Sequence, residues 1–258
     1  MRQVKPKKRL GQHFLKDKNI AVKIVNSIDK NSAGKVLEIG PGTGMLTRLL
    51  IETFGCNLFL VEIDRESVEF LKNEFPEFSG RIFWADFLEF DIDAHFSEPL
   101  TITGNLPYNI SSQIFFRILE NRNMVNQMVC MIQKEVAERI ISPPGNKNYG
   151  ILSVFLQAFY NISYLFTVSP KVFYPPPKVN SSVISLKRNS TGQLKCNEKL
   201  FFSIVKSAFN QRRKVMRNSL RSFLLPLALE HPLLGKRPEQ LGVDDFVTLT
   251  NFIESVAK

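Results

Sequence analysis

The sequence predicts an α/β fold: a doubly wound, parallel-type sheet over residues 1–188, then a small all-helical domain over residues 189–258. Three observations predict it. Apolar strand-like runs alternate with helix-like segments from Lys35 to Lys187, the pattern of crossover units that build such sheets. A glycine-rich turn stands directly between the first of those runs and the helix after it. After Arg188 a polar Asn189-Ser190-Thr191-Gly192 linker follows, and no strand pattern returns.

Residues 1–10 carry five basic residues and no acid. They open a basic N-terminal segment, 1–18, whose first residues read as a solvated tail. Gly11-Gln12-His13-Phe14-Leu15 interrupts the charge. Asp17 or Asn19 can cap a helix reaching about Asp29, with Ile20, Ile24, Val25 and Ile28 on one face. Lys35–Ile39 is a buried strand, Gly40-Pro41-Gly42-Thr43-Gly44 the turn, and Met45–Thr53 the helix. The G-x-G-x-G spacing differs from the dinucleotide G-x-G-x-x-G. Glycines here turn the chain and let backbone approach a ligand.

Asn57–Val61 is the second strand, ending at Glu62-Ile63-Asp64. An acid about twenty residues past a glycine turn is placed to bind a ribose diol. Glu62 closes the strand and is favoured over Asp64. A helix over Arg65–Glu74 leads to a third strand, Arg81–Trp84, and then to Ala85-Asp86-Phe87. Asp91 and Asp93 read as solvated. A fourth strand delivers Asn105, a helix covers Ser111–Glu120, and Val125–Ile132 is the fifth strand. Helices over Lys134–Ile141 and Tyr149–Tyr160 flank Pro143-Pro144-Gly145, and Ile162–Val168 is a strand. Val172–Val179, with three consecutive prolines, is expected to be extended polyproline II. Ser182–Lys187 completes the sheet.

Ligands of doubly wound sheets bind at the carboxyl ends of strands. The first four strands end at Gly40, Glu62, Asp86 and Asn105. Glu62 suits a ribose, and Asp86 can accept from an adenine amino group. Asn105-Leu106-Pro107-Tyr108 joins a carboxamide acceptor, a turn stiffened by proline and a flat ring. That set suits a planar exocyclic amine such as N6 of adenine.

The 258 residues are 44% hydrophobic, enough for a large core, and carry a net charge of +10. Such an excess of base concerns partners rather than fold, and nucleic acid leads. No apolar run reaches the ~18 residues of a membrane span, and the N-terminus lacks a signal-peptide core. Cys56, Cys130 and Cys196 are widely spaced, which fits a reducing compartment and neither a disulfide framework nor a zinc site. A cytoplasmic, metal-free protein without membrane contact is expected.

From Leu200 to Leu229 there is no acid, while Lys206, Arg212, Arg213, Lys214, Arg217 and Arg221 are present. Arg213, Arg217 and Arg221 recur every four residues, predicting one basic stripe on a helix for RNA phosphates. Phe201, Ile204, Val205 and Ala208 predict an apolar helix face before it, and Val243, Phe246, Val247, Leu249 and Phe252 a closing helix.

Together these residues resemble the KsgA-type ribosomal RNA adenine dimethyltransferases. The likeness is carried by Gly11–Leu15, Glu38–Gly44, Val61–Asp64, Ala85-Asp86 and Asn105–Tyr108. It continues through Phe173, Pro175–Val179 and Ala208-Phe209-Asn210-Gln211-Arg212-Arg213-Lys214. The resemblance implies a Rossmann-like class I methyltransferase sheet using S-adenosylmethionine, held at His13, Leu15, Gly40, Glu62, Asp86 and Asn105. Many members carry Asn where this chain has His13. Asn105, Leu106, Pro107 and Tyr108 would orient the amine, and Tyr108 and Phe173 would stack on the base. The implied substrate is a pair of adjacent adenosines in the 3′-terminal hairpin loop of small-subunit (16S) ribosomal RNA, free or in a pre-30S particle. The enzyme is expected to be a monomer acting in subunit biogenesis. An Erm-type large-subunit methyltransferase shares the cofactor site and the Asn-x-Pro-Tyr turn; the Phe-Asn-Gln-Arg-Arg-Lys segment favours the KsgA side. A non-catalytic ribosome-assembly factor is the reading from another class, and the intact strand-end set argues against it.

Overall fold

The structure is a computed structural model and describes residues 4–224 and 230–256. Arg2 of the basic N-terminal run and residues 225–229 of the acid-free run lie outside the described residues. The elements are β1 (Phe14–Leu15), α1 (Lys18–Asn26), β2 (Lys35–Ile39), α2 (Met45–Phe54), β3 (Leu58–Glu62), α3 (Arg65–Glu74) and β4 (Ile82–Trp84). After them come α4 (Ile92–His95), β5 (Leu100–Asn105), α5 (Ser111–Glu120), β6 (Val125–Gln133), α6 (Lys134–Ile141) and α7 (Ile151–Phe159). The chain closes with β7 (Tyr160–Val168), β8 (Phe173–Tyr174), β9 (Ser181–Arg188), α8 (Glu198–Asn210), α9 (Met216–Ser219), α10 (Arg221–Leu224) and α11 (Val243–Val256).

The main sheet has seven strands in the order β4-β3-β2-β5-β6-β9-β7. The strands from β4 to β6 run parallel, and β9 is antiparallel to β6. The order reverses beside β2, whose neighbours are β3 and β5. That is where such sheets open a crevice for ligands. The parallel strands read as near-continuous apolar runs because helices cover both faces. Val36, Leu37, Leu58, Leu60 and Ile102 are fully buried.

Two compact units divide the chain: residues 1–137 with 162–188, and residues 138–161 with 189–258. In the first, α1 begins at Asp17, whose carboxylate accepts the backbone N–H groups of Asn19 and Ile20. This satisfies donors that a helix start leaves orphaned. Ala21, Ile24 and Val25 face inward and join a core with Val36, Leu50, Leu58 and Val68. Asp91 is no idle surface acid, since it accepts Ala94 N–H and caps α4. The second unit packs Phe201, Ile204, Val205 and Ala208 of α8, all fully buried, with Phe246 of α11 beside Phe201.

Two local expectations change. Residues 172–179 are not one polyproline II run: a 3-10 turn over Pro170–Val172 precedes β8, and Tyr174-Pro175 is a cis peptide. β8 pairs antiparallel with β1, so this stretch satisfies its backbone by strand pairing. The basic stripe is not on one helix. α8 stops at Asn210, Val215 is extended, and α9 and α10 are single turns. The break lets Met216 and Leu220 turn inward and become fully buried.

Candidate active site

A cavity of about 270 Å³ opens at the carboxyl ends of β2 to β5, and Gly40, Glu62, Asp86 and Asn105 all line it. Sequence position had singled out those four groups, each from a different strand. The backbone welds the strand ends together: Gly40 N–H donates to Val61 O at 3.0 Å and Ala85 N–H to Glu62 O at 3.1 Å.

The glycine bend has a steric reason. Gly42 sits at φ +57°, and a Cβ there would come within 2.8 Å of the Phe14 ring. Its N–H donates to Glu62 Oε2 at 3.0 Å, while Glu62 Oε1 accepts Asp64 N–H at 2.9 Å. Burial raises the Glu62 carboxyl above its usual range, against the backbone N–H groups of Asp64, Gly42 and Ile63, which pull it down. The carboxyl lines the cavity, where it can meet a diol. Asp64 is engaged elsewhere, with Lys7 Nζ and with Ser67 Oγ at 3.1 Å. Asp86 accepts Leu88 N–H at 2.9 Å, which fixes its carboxylate at the cavity wall.

Asn105 holds the sharpest signal. Its Nδ2 donates to the main-chain carbonyl of His13 at 2.7 Å. Its Oδ1 is buried and has no partner. An orphaned buried acceptor costs about 1–3 kcal/mol, a cost that a ligand N–H would remove. Glu62 and Asp86 at the wall, glycine backbone and this orphaned oxygen fit a nucleoside cofactor beside an amine.

The N-terminal segment completes the cavity. Arg9, Leu10, Gly11, Gln12, His13 and Phe14 line it, and of these only His13 had been singled out. The available signal was Gly11, which takes φ +62° after a 3-10 turn and packs against Asn109. Lys7 clips this segment down by pairing with Asp64 and, at 3.3 Å, with Glu66. His13 Nδ1 lies 2.7 Å from Pro175 O, so that nitrogen carries the proton. Its ring centroid is 5.3 Å from that of Tyr108. Leu106, Pro107 and Tyr108 also line the cavity. Leu15 does not; it is buried in the core and borders a smaller cleft with Glu38 and Asn105.

Phe173 departs from its expected role. Its side chain is 1% exposed and lies in the same apolar core as Leu15, across from it in the β1–β8 pairing. A ring so enclosed supports the N-terminal segment from below and offers no face to a base. Tyr108 lines the cavity, as do Phe14 and Phe87.

Glu38 has no role assigned from the sequence, although an acid inside the apolar strand Lys35–Ile39 is a signal. It is buried, Thr47 Oγ1 donates to it at 2.7 Å, and burial pushes its carboxyl up to about 8. It is therefore mostly neutral at pH 7. Because the folded value lies above the unfolded one, its contribution to stability is complete below about pH 4.5. That contribution is lost as pH rises towards 8, by at most about 1.4 kcal/mol per pH unit. Glu38→Gln keeps the acceptor for Thr47 without the titration. Melting temperatures from pH 5 to 8.5 should fall less steeply in this variant than in the parent; equal slopes would refute the assignment.

In the second unit, Lys206, Arg213, Lys214, Arg217 and Arg221 are exposed. Arg212 is not available in the same way. Its guanidinium donates to the carbonyl of Lys147 and sits 3.8 Å from Glu239, so it holds the 146–147 turn. Among the described residues, no group of three or more His, Cys, Asp or Glu could hold a metal ion, and no helix is long and apolar enough to cross a membrane.

Comparison with known proteins covers nearly the whole chain. The family model described as ribosomal RNA adenine dimethylase matches residues 3–253. A Parabacteroides distasonis protein named ribosomal RNA small subunit methyltransferase A is 52% identical, over 97% of this chain and 94% of its own. The protein of that name from Bacteroides thetaiotaomicron is 51% identical, over 100% of this chain and 97% of its own. Among solved structures, a Plasmodium falciparum dimethyladenosine transferase superposes with a TM-score of 0.78 at 24% identity, covering 95% of this chain and 98% of that one. The 23S rRNA methyltransferase ErmE gives 0.66 at 24% identity, covering 92% and 99%. At that identity the two structures speak to the fold.

Proposed function

The chain belongs to the ribosomal RNA adenine dimethylase family, and on that premise we propose that it methylates small-subunit ribosomal RNA. The target is N6 of two adjacent adenosines in the 3′-terminal hairpin loop, each methylated twice. The observation that carries the reading is the buried, unpartnered Oδ1 of Asn105 beside the glycine bend.

S-adenosylmethionine supplies an electrophilic methyl group when bound. Glu62 holds the ribose diol, Asp86 accepts from the adenine amino group, and Gly40 and Gly42 let the backbone come close. The N-terminal segment covers the cavity and excludes water. Adenine N6 is a poor nucleophile because its lone pair is delocalised into the ring. Asn105 Oδ1 accepts one amine hydrogen and a carbonyl of the turn accepts the other. We favour that of Leu106, since the carbonyl of Pro107 already receives Ile110 N–H at 3.3 Å. Two acceptors in fixed places localise the lone pair and aim it. The base leaves its stack at a cost of roughly a few kcal/mol. Stacking on Tyr108 returns roughly 1–3 kcal/mol.

The compact unit of residues 1–137 and 162–188 carries the chemistry, and the unit that joins residues 138–161 to the expected RNA-gripping domain, 189–258, grips the RNA. Exposed Arg213, Lys214, Arg217 and Arg221 contact phosphates. Replacing Arg213→Glu together with Arg217→Glu should weaken RNA binding about tenfold or more. The slope of log affinity against log salt should flatten by about two. Fluorescence anisotropy across a salt series would measure both, with cofactor affinity by calorimetry as the control. Unchanged RNA affinity would reduce these arginines to a solvated face. On the same reading the enzyme works in the cytoplasm as a monomer on an assembling small subunit; its net charge of +10 supports contact with RNA. The overall reading is tested by incubating unmethylated small and large subunits with enzyme and S-adenosylmethionine, followed by mass spectrometry of RNA fragments. Dimethyladenosine in the small-subunit hairpin alone is expected. Methylation of the large subunit instead would overturn it.

A further inference from the structure

We propose that Ser181 is a positioning residue for the target base, acting through Tyr108. The proposal rests on the reading of Tyr108 as the surface on which that base stacks.

Tyr108 borders the cavity and is only half-buried. A phenol ring there can rotate about two torsions, and an unanchored ring would offer its face only part of the time. Its hydroxyl is anchored by a hydrogen bond with Ser181 Oγ. Ser181 is fully buried at the start of β9 and lies opposite Gln133 of β6. The chain just before it is also fixed, because Lys134 N–H donates to Asn180 O at 2.9 Å. The hydroxyl of Tyr108 is thus tied to the interior of the sheet. The ring is flanked at its other side by the His13 imidazole, tilted by 33° and itself held by Pro175 O. Two contacts from distant parts of the chain fix one ring, and that ring lines the cavity.

The next residue supplies a comparison. Ser182 Oγ is hydrogen-bonded to Tyr164 Oη at 2.7 Å, but Tyr164 does not line the cavity. Both are serine–tyrosine hydroxyl bonds, Tyr164 Oη also meeting Thr167 Oγ1, and only the first ends on a residue of the active site. Tyr164→Phe therefore serves as a control.

Phosphate contacts elsewhere hold the RNA, so flipping of the base is an internal equilibrium of the bound complex. Loosening the Tyr108 ring lowers the flipped fraction and hence kcat, while KM for RNA and cofactor affinity stay put. One hydrogen bond between neutral groups corresponds to a fall of about fivefold, within a range of about 2–12.

The test uses full-length enzyme and unmethylated small subunits, measuring kcat, KM, cofactor affinity and melting temperature. Ser181→Ala and Tyr108→Phe remove the same bond from opposite ends. Each should lower kcat about fivefold at unchanged KM, the double variant should be no worse than either, and Ser181→Thr should restore turnover. Tyr164→Phe should leave kcat at the parental value. Wild-type kcat in Ser181→Ala, or losses that add in the double variant, would overturn the proposal. If Ser181→Ala fails to fold, Tyr108→Phe decides by itself. Tyr108→Ala separates the two levels. Should it leave kcat intact, the stacking reading fails; should it abolish turnover while Ser181→Ala and Tyr108→Phe do not, only the positioning role fails.

Discussion

Asn105→Ala should lower kcat by roughly 10²–10³, the usual cost of removing one preorganised polar group from a reacting centre. The variant loses the only side-chain acceptor that Asn105 presents to the amine, the buried Oδ1 without a partner. It also loses the bond from Nδ2 to the carbonyl of His13. RNA affinity should remain within about twofold, because the phosphate contacts lie elsewhere. Single-turnover methyl transfer and RNA binding, measured on one preparation, give the answer. Equal loss of both, with a lowered melting temperature, would assign Asn105 to folding.

Gly104→Ala should have the largest structural effect. A Cβ at this position would lie 2.4 Å from the carbonyl oxygen of Ile39 and 3.3 Å from its carbonyl carbon. Both atoms are backbone at the end of β2, beside the glycine bend, so no side chain can rotate out of the way. β2 and β5 must move apart, and overpacking of this kind costs about 1–3 kcal/mol or more. At about 2–4 °C per kcal/mol for a chain this size, the melting temperature should fall by roughly 2–12 °C. Gly40 and Asn105 would separate as well, so cofactor affinity should drop at least about tenfold by calorimetry. Gly80→Ala is the control, since a Cβ there meets nothing within 4 Å. A Gly104→Ala protein with unchanged melting and affinity would show that the strands have slack here.

The parts of the fold that were legible in the sequence are those governed by local periodicity. β2 and β3, and α2, α3 and α5, fall within a residue or two of their expected limits, because each is a buried apolar run or an amphipathic turn pattern. That Gly40, Glu62, Asp86 and Asn105 share one cavity was legible for a related reason: the carboxyl ends of parallel strands meet at one crevice. What could not be read depends on partners far along the chain. Phe14 and Leu15 form a strand only because Phe173 and Tyr174 lie beside them. Phe173 was expected at the substrate because of its neighbouring prolines, but its burial follows from that pairing. The i, i+4 spacing of Arg213, Arg217 and Arg221 was real. It could not reveal that Val215 is extended and that Met216 must reach the interior. Ser181 carries no local pattern; only its place opposite Gln133 brings it to Tyr108.

The tie between His13 and Pro175 spans 162 residues, and this bears on how the enzyme is made. The segment that lines the cavity finds partners at Asp64, Glu66 and Asn105 once those residues have been made, but its last tie, to Pro175, must wait until that far later residue has followed. The cover of the cavity is therefore completed late. A nascent chain cut short before that point would leave the His13 ring unanchored and the opening loosely covered.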